Sequence, residues 1–378
     1  MHKRSSWAVA SVAAAALLLA GCGSDDPGTG TDPTTSASSG SGSAPAAGGS
    51  VGVILPDSAT SPRWEANDRP LLQAAFDDAG IEADIQNADG DTSKFATLCD
   101  GMINAGVSVL LIVNLDSDSG AACLSKAQDA GVETIDYDRL TLGGGASFYV
   151  SFDNVKVGSL MGEGLEKCLT DAGKETGANI VFINGAPTDN NATLFKQGYQ
   201  EYLQPKFDAG DYTLVGDVTG EWDADIAGTA FEQIYTDNGG AVDGVVSAND
   251  TMAGGIIARL AAAGVNGQIP VTGQDASVAG LQAILAGDQC MTVYKAIKAE
   301  ADAASELAIA LINGDDTSGL ATGTVEDTQL GSDVPSVLAD PVAIYRDTVK
   351  TVIDDGFWTA AEICTGDYAD DCAELGIE

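Results

Sequence analysis

A single histidine, His2, stands in the 378-residue chain, and 17 Lys and Arg face 56 Asp and Glu, a formal charge of −39. Without a histidine in its body the chain cannot run Ser-His or Cys-His catalysis or hold a His-ligated zinc. The shortage of cations excludes nucleic acid as a partner, because neutralising phosphates needs a Lys/Arg surplus. It also argues against passive adhesion to anionic lipid. No C-x-x-C pair occurs, so a cysteine-ligated metal has no sequence basis. An EF-hand begins at Asp116, Asp118 and Gly120 but fails at its twelfth position, Ala127. No metal and no cofactor are expected.

The first residues carry an address. His2, Lys3 and Arg4 precede an apolar run from Trp7 to Ala20, too short for a comfortable bilayer span, and Leu19-Ala20-Gly21-Cys22 follows. Residues 1–21 read as a signal peptide, and Cys22 after small residues resembles the acylated cysteine of a bacterial lipobox. Residues 22–50 are then a lipidated cysteine and a Gly/Ser/Thr/Pro-rich tether with almost nothing to bury. Loss of the leader removes Lys3 and Arg4 from the 17 basic residues, leaving fifteen and no histidine. Export also suits the remaining cysteines, Cys99, Cys123, Cys168, Cys290, Cys364 and Cys372. An even number outside the cytoplasm favours disulfides, and six cysteines allow fifteen pairings among which sequence alone does not choose.

From residue 51 onward, short β-rich apolar runs alternate with Ala-rich segments of helical period. Strands are expected at Val51–Leu55, Ile81–Gln86, Val107–Val113, Glu133–Asp136 and Phe148–Phe152, with helices at Arg69–Ala79, Ser93–Ala105 and Ser119–Ala130 between them. The alternation restarts with helix Val155–Leu169, strand Asn179–Ile183, helix Ala192–Leu203, strand Thr213–Val218, helix Ala224–Thr236, strand Gly244–Ser247, helix Met252–Ala263 and strand Val271–Gly273. Two successive β-α arrays of this kind predict an α/β protein with two Rossmann-like lobes, each a parallel sheet covered on both faces.

Ligands of such sheets gather at the carboxyl ends of the strands. The residues that follow the strands are Ser61-Pro62-Arg63-Trp64, Asp136-Tyr137-Asp138-Arg139, Pro187-Thr188-Asp189-Asn190-Asn191, Glu221-Trp222, Asn249-Asp250, Gln274-Asp275 and Tyr294-Lys295. Both arrays contribute, and Arg63, Arg139 and Lys295 are three of the few cations in the body. Fixed acceptors and paired donors of these types suit the hydroxyls of a neutral polyol, and an indole face covers the C–H face of a pyranose ring. Taken singly, an Asp or Asn after a strand reads as a helix cap.

At these residues the sequence resembles the periplasmic sugar-binding proteins of ABC importers, of the type I two-lobed fold, and in particular the D-xylose-binding proteins. Further matching blocks are Ser151-Phe152-Asp153-Asn154, Lys156-Val157-Gly158, Ser247-Ala248-Asn249-Asp250, Gly273-Gln274-Asp275-Ala276 and Thr292-Val293-Tyr294-Lys295. The resemblance implies a ligand set of Arg63, Trp64, Asp138 and Arg139 from the first lobe, and Asn191, Trp222, Asn249 and Asp275 from the second, with Lys295 on a hinge strand and Asn190 beside the matched Asn191. It implies three crossings between lobes, near Asp153, Thr292 and Gly331. The first lobe would be 51–153 plus 293–330, and the second 154–292 plus 331–378. On that map the disulfides would be Cys99–Cys123, Cys168–Cys290 and Cys364–Cys372. The implied partners are a monosaccharide and a membrane ABC permease; the lipid anchor expected at Cys22 departs from the soluble periplasmic form and suggests a surface-anchored protein, and one tethered body with one cleft is expected to act as a monomer. A sensor role toward a chemoreceptor or histidine kinase would use the same site. An enzyme is disfavoured: Gly48-Gly49-Ser50-Val51-Gly52 matches a nucleophile elbow in form, yet it straddles the tether and the body after the leader has no histidine to activate the serine.

Overall fold

The computed structural model describes residues 48–377. The expected leader, the lipidation candidate Cys22 and the tether up to residue 47 lie outside the described residues. In β1 (Ser50–Leu55) every residue after Ser50 is buried, as a strand covered on both faces requires. β2 (Glu82–Asn87), β3 (Val109–Ile112), β4 (Glu133–Tyr137) and β5 (Phe148–Phe152) join it in a parallel sheet of order β2-β1-β3-β4-β5. One face carries Leu72 and Phe76 of helix Arg69–Ala79 with Ala304 and Leu307 of helix Ile297–Asn313. The other carries Phe95, Met102 and Leu124 from helices Thr92–Ala105 and Ser117–Asp129.

The second parallel sheet has the order β7-β6-β8, from β6 (Ala178–Asn184), β7 (Tyr212–Thr219) and β8 (Gly244–Ser247). Single bridges Val245–Val271 and Gln274–Val293 carry it on to β9 (Thr292–Tyr294). β10 (Gly323–Asp327) and β11 (Ser332–Ala339) then form an antiparallel hairpin, and β11 pairs parallel with β5 in the first sheet. The chain crosses back through β12 (Val342–Ile344), antiparallel to β9.

The hairpin corrects two expectations. The first sheet is parallel except for its β10 edge, and residues 331–339, assigned from sequence to the second lobe, belong to the first lobe's sheet. The third crossing therefore follows Ala339. Gly331, with φ of 64°, is the hairpin turn; a glycine punctuating a polar stretch reads the same whether the chain turns locally or leaves the lobe. Helices Val278–Ala286 and Ile297–Asn313 were not foreseen. Short helices after Tyr345 close a small separate core in which Ile344, Val352, Ile363 and Cys372 pack on Leu281, Ile284 and Tyr294. The structure joins Cys99 to Cys123, Cys168 to Cys290 and Cys364 to Cys372, with Cα separations of 5.9, 6.4 and 5.8 Å.

Helices Asn154–Asp171 and Asn190–Ala209 touch backbone to backbone: a Cβ on Gly158 would lie 2.0 Å from the Phe195 carbonyl oxygen. Gly158→Ala is therefore expected to destabilise the protein by about 1–3 kcal/mol through overpacking. Gly254→Ala, in open space on a helix, is expected to stabilise by about 0.5–1 kcal/mol. Urea unfolding of the two variants checks the pair, and equal midpoints would refute the close approach.

Candidate functional site

Every segment that builds the site leaves the carboxyl end of a strand. After β1 the chain enters a π-helical turn, Trp64–Asp68, with Arg63 as its first flanking residue. After β4, Asp138 takes φ of 64°, while Trp222 after β7 and Asp275 beyond β8 take 61° and 95°. Left-handed conformations cost a non-glycine residue about 1–3 kcal/mol, and such strain concentrates at functional sites. Asp189 and Asn249 cap the helices they precede, accepting from Asn191 N and Met252 N at 2.9 Å each. A Cβ on Gly185 would lie 2.0 Å from the Trp222 indole, so glycine seats that ring.

These segments close on a small cleft, with about 330 Å³ of empty space when its open mouth is included. Arg63, Trp64, Asp138, Arg139, Asn191, Trp222, Asn249, Asp275 and Lys295 line it. Asn190 does not: it opens the helix one position before Asn191, and a step of about 100° around the axis turns it away from the cleft. Thr60, Ser61, Asp189, Phe195 and Gln274 also line the cleft and were not selected from sequence. Ser61, Asp189 and Gln274 sit beside chosen residues, whereas Phe195, edge-on to Trp222 at 6.2 Å, reads in sequence as ordinary helix core.

The two lobes meet directly across the cleft. Asn191 Nδ2 donates to Asp138 O and Oδ1 at 3.0 and 3.1 Å, Ser61 Oγ to Asp275 Oδ2 at 3.1 Å, and Asn249 Nδ2 to Thr60 O at 3.3 Å. Arg139 Nε lies 3.0 Å from Asp189 Oδ2, an ion pair too poorly aligned for a hydrogen bond. This is a closed arrangement.

Charge in the cleft is organised by Arg63. Its Nη1 donates to Asp138 Oδ2 at 2.6 Å, its Nε and Nη2 to Asp68 at 2.9 and 2.6 Å, and Nη2 also to Glu300 Oε2 at 2.5 Å, all between side chains no more than 5% exposed. Its guanidinium lies 4.3 Å from the centre of the Trp64 ring. Lys295 Nζ stands 3.3 Å from Asp275 Oδ1 and 3.7 Å from Asp138 Oδ2. Burial works to raise the Asp138 pKa, but Arg63, Lys295 and Arg139 outweigh it and hold the carboxyl below its ordinary range. Burial wins at Glu300, which is pushed well up against the pull of Arg63, and at Asp189, raised despite Arg139. Asp138 is thus the ionised acceptor of the site, with Glu300 behind it on the far side of Arg63.

Several buried polar atoms of lining residues have no hydrogen-bond partner within the protein: Trp64 Nε1, Trp222 Nε1, Arg139 Nε, Gln274 Oε1 and Asp275 Oδ1. Arg139 Nε and Asp275 Oδ1 face ion partners, while the two indole N–H groups and Gln274 Oε1 offer donors and an acceptor to a ligand that carries both, as hydroxyl groups do. Among the described residues no group of three or more His, Cys, Asp or Glu side chains could hold a metal ion.

Residues 51–316 match the family model of the periplasmic binding protein domain. The D-xylose-binding periplasmic protein of Escherichia coli (strain K12) is 36% identical over 307 residues, spanning 80% of this chain and 88% of that protein. The multiple sugar-binding periplasmic receptor of Rhizobium radiobacter is 31% identical over 336 residues, 83% of this chain and 92% of its own length. Among solved structures, a carbohydrate transporter solute binding protein from Chloroflexus aurantiacus in complex with D-glucose superposes with a TM-score of 0.75 at 30% identity, covering 82% of this chain and 97% of that one. These relatives are binding proteins and not enzymes, and with its two β-α lobes this chain belongs to the periplasmic binding protein family, type I fold.

Proposed function

We propose that this protein captures a free monosaccharide, D-xylose first among them, between its two lobes and delivers it to an ABC permease. The observation that carries the reading is the closed cleft itself: small, lined from both lobes by two tryptophans and by paired charges, with buried donors and acceptors left free. Sugar hydroxyls would satisfy those atoms, and each one left unpaired by a wrong sugar would cost about 1–3 kcal/mol. The inter-lobe contacts describe how capture works: an open form binds sugar on one lobe, and contacts available only when both lobes touch it select closure. Relatives named for D-xylose and for multiple sugars support the ligand class. Cys22 would carry the lipid that keeps the body at the outer face of the membrane.

Isothermal titration of the chain without its leader against D-xylose, D-glucose, D-galactose and L-arabinose tests this. One-to-one binding of D-xylose at micromolar affinity or better is expected, about 8 kcal/mol. Asn249→Ala, which loses an inter-lobe donor and a helix cap, is expected to weaken it by about 10–100-fold. Selective binding of another of the four would change the cargo. Silence with all four would reject the reading.

A further inference from the structure

The two charged residues contributed by the far side of the cleft, Asp275 and Lys295, are gripped from behind by one short stretch of the C-terminal tail. Asp275 and Ala276 are consecutive non-glycine residues with φ of 95° and 49°, a conformation that persists only when its surroundings hold it. Three ties come from within the second lobe: Asp275 N to Val293 O at 2.9 Å, Ala276 N to Thr292 Oγ1 at 3.2 Å, and Ser277 N to Asp250 Oδ2 at 2.8 Å. The fourth comes from the tail, where Trp358 Nε1 donates to Ala276 O at 2.8 Å. The neighbouring Phe357 packs against Trp358 at 5.0 Å and against Tyr294 at 5.2 Å, centroid to centroid. Tyr294 precedes Lys295, and its hydroxyl donates to Asp355. One aromatic clamp therefore holds the backbone beside both members of the Asp275–Lys295 pair. The same tail leaves β12, which pairs with β9 immediately before Lys295, and it is stapled by Cys364–Cys372.

We infer that Trp358, with Phe357, is a positioning residue for ligand recognition: it touches no ligand, and it fixes Asp275 and Lys295 in the geometry that receives the sugar. This rests on the sugar-binding reading above. Trp358 is half-buried and remote in sequence from every residue that lines the cleft, so a purely structural role predicts lost stability without a specific loss of affinity.

The test measures D-xylose affinity, or that of the tightest of the four sugars, by titration alongside Tm for the wild type, Trp358→Phe, Asp275→Asn, the double variant and Ile363→Val. Trp358→Phe keeps a six-membered aromatic ring and removes the N–H together with the pyrrole part of the indole, and is expected to weaken binding about tenfold, equivalent to about 1.4 kcal/mol. Ile363→Val trims the same C-terminal core but leaves the Trp358–Ala276 hydrogen bond in place, and is expected to lower Tm without moving affinity. In the Asp275→Asn background the Trp358→Phe loss is expected to shrink to about twofold or less, because coupled residues are non-additive. Unchanged affinity in Trp358→Phe, a loss that follows Tm across all variants, or full additivity with Asp275→Asn would each overturn the inference while leaving wild-type sugar binding intact. A wild type that binds none of the sugars would overturn the reading and the inference together.

Discussion

Replacing Arg63 with methionine is expected to remove about 3–5 kcal/mol of stability and to abolish ligand binding. Four of the five N–H groups of a guanidinium are already committed inside the protein, to Asp68, Glu300 and Asp138. Arg63 is therefore first a support beneath Asp138, with one N–H left for a ligand. Burial works against its charge, but Asp68, Glu300 and Asp138 outweigh that and raise its pKa well above the ordinary value. Tyr137 adds a hydroxyl donated to Asp68 Oδ1 at 2.7 Å. Methionine fills similar space, yet it leaves Asp68 and Asp138 buried with Lys295 as the nearest remaining cation, 3.7 Å from Asp138. Arg63→Lys is expected to fail as well, because an ammonium cannot span the forked contacts. Glu300→Gln is expected to cost less than Arg63→Met, about 1 kcal/mol, since it keeps an oxygen facing Arg63 and burial already disfavours the charged acid. Urea unfolding at neutral pH ranks the three. An Arg63→Met midpoint at the wild-type value would remove Arg63 from the centre of the network, and Glu300→Gln as damaging as Arg63→Met would mean that Glu300 carries charge.

What could be read in advance follows from where information is local. Buried parallel strands are apolar throughout, so β1, β3 and β8 announce themselves, and ligand residues collect where such strands end; this is why residues as distant as Arg63 and Lys295 could be placed in one cleft. Asn190 failed because the rule acts at the scale of a loop, while a helix turn separates neighbours. Asp68 and Glu300 were invisible for a different reason. Among 56 acidic residues nothing local marks Asp68 and Glu300 as buried ones, and Glu300 lies 237 positions from its partner Arg63. The assignment of residues 331–339 failed because strand pairing between β11 and β5 is a long-range choice. The clamp of Trp358 on Ala276 spans 82 positions and likewise leaves no trace in local pattern.

Stability is expected to fall as pH rises from about 4 to about 7, the reverse of a protein held together by ionised carboxylates. Asp136 and Asp250 are fully buried, and burial pushes each from 3.8 to about 7, against donors from Thr141 in the one case and from Gln289, Ser277 and Thr292 in the other. Between those values the folded protein holds protons that the unfolded chain has released, so the slope of stability against pH is negative. The contribution is complete below about pH 4 and gone above about pH 7, on the order of a few kcal/mol for each group. Asp138, held below its ordinary range, acts oppositely, but only in the acid below that window. Repulsion among the surface carboxylates of a chain at −39 has the same sign as the buried pair, and salt separates the two. At 1 M salt the Debye length is about 3 Å, which quenches the surface term and leaves the buried one. Tm is therefore expected to be higher at pH 5 than at pH 8 in low salt, with the gap reduced but not closed in 1 M NaCl. Asp136→Asn, neutral at every pH, should narrow what remains. A gap that vanishes in salt would assign the whole effect to surface charge, and a Tm that rises from pH 5 to pH 8 would show that Asp136 and Asp250 are ionised in the fold.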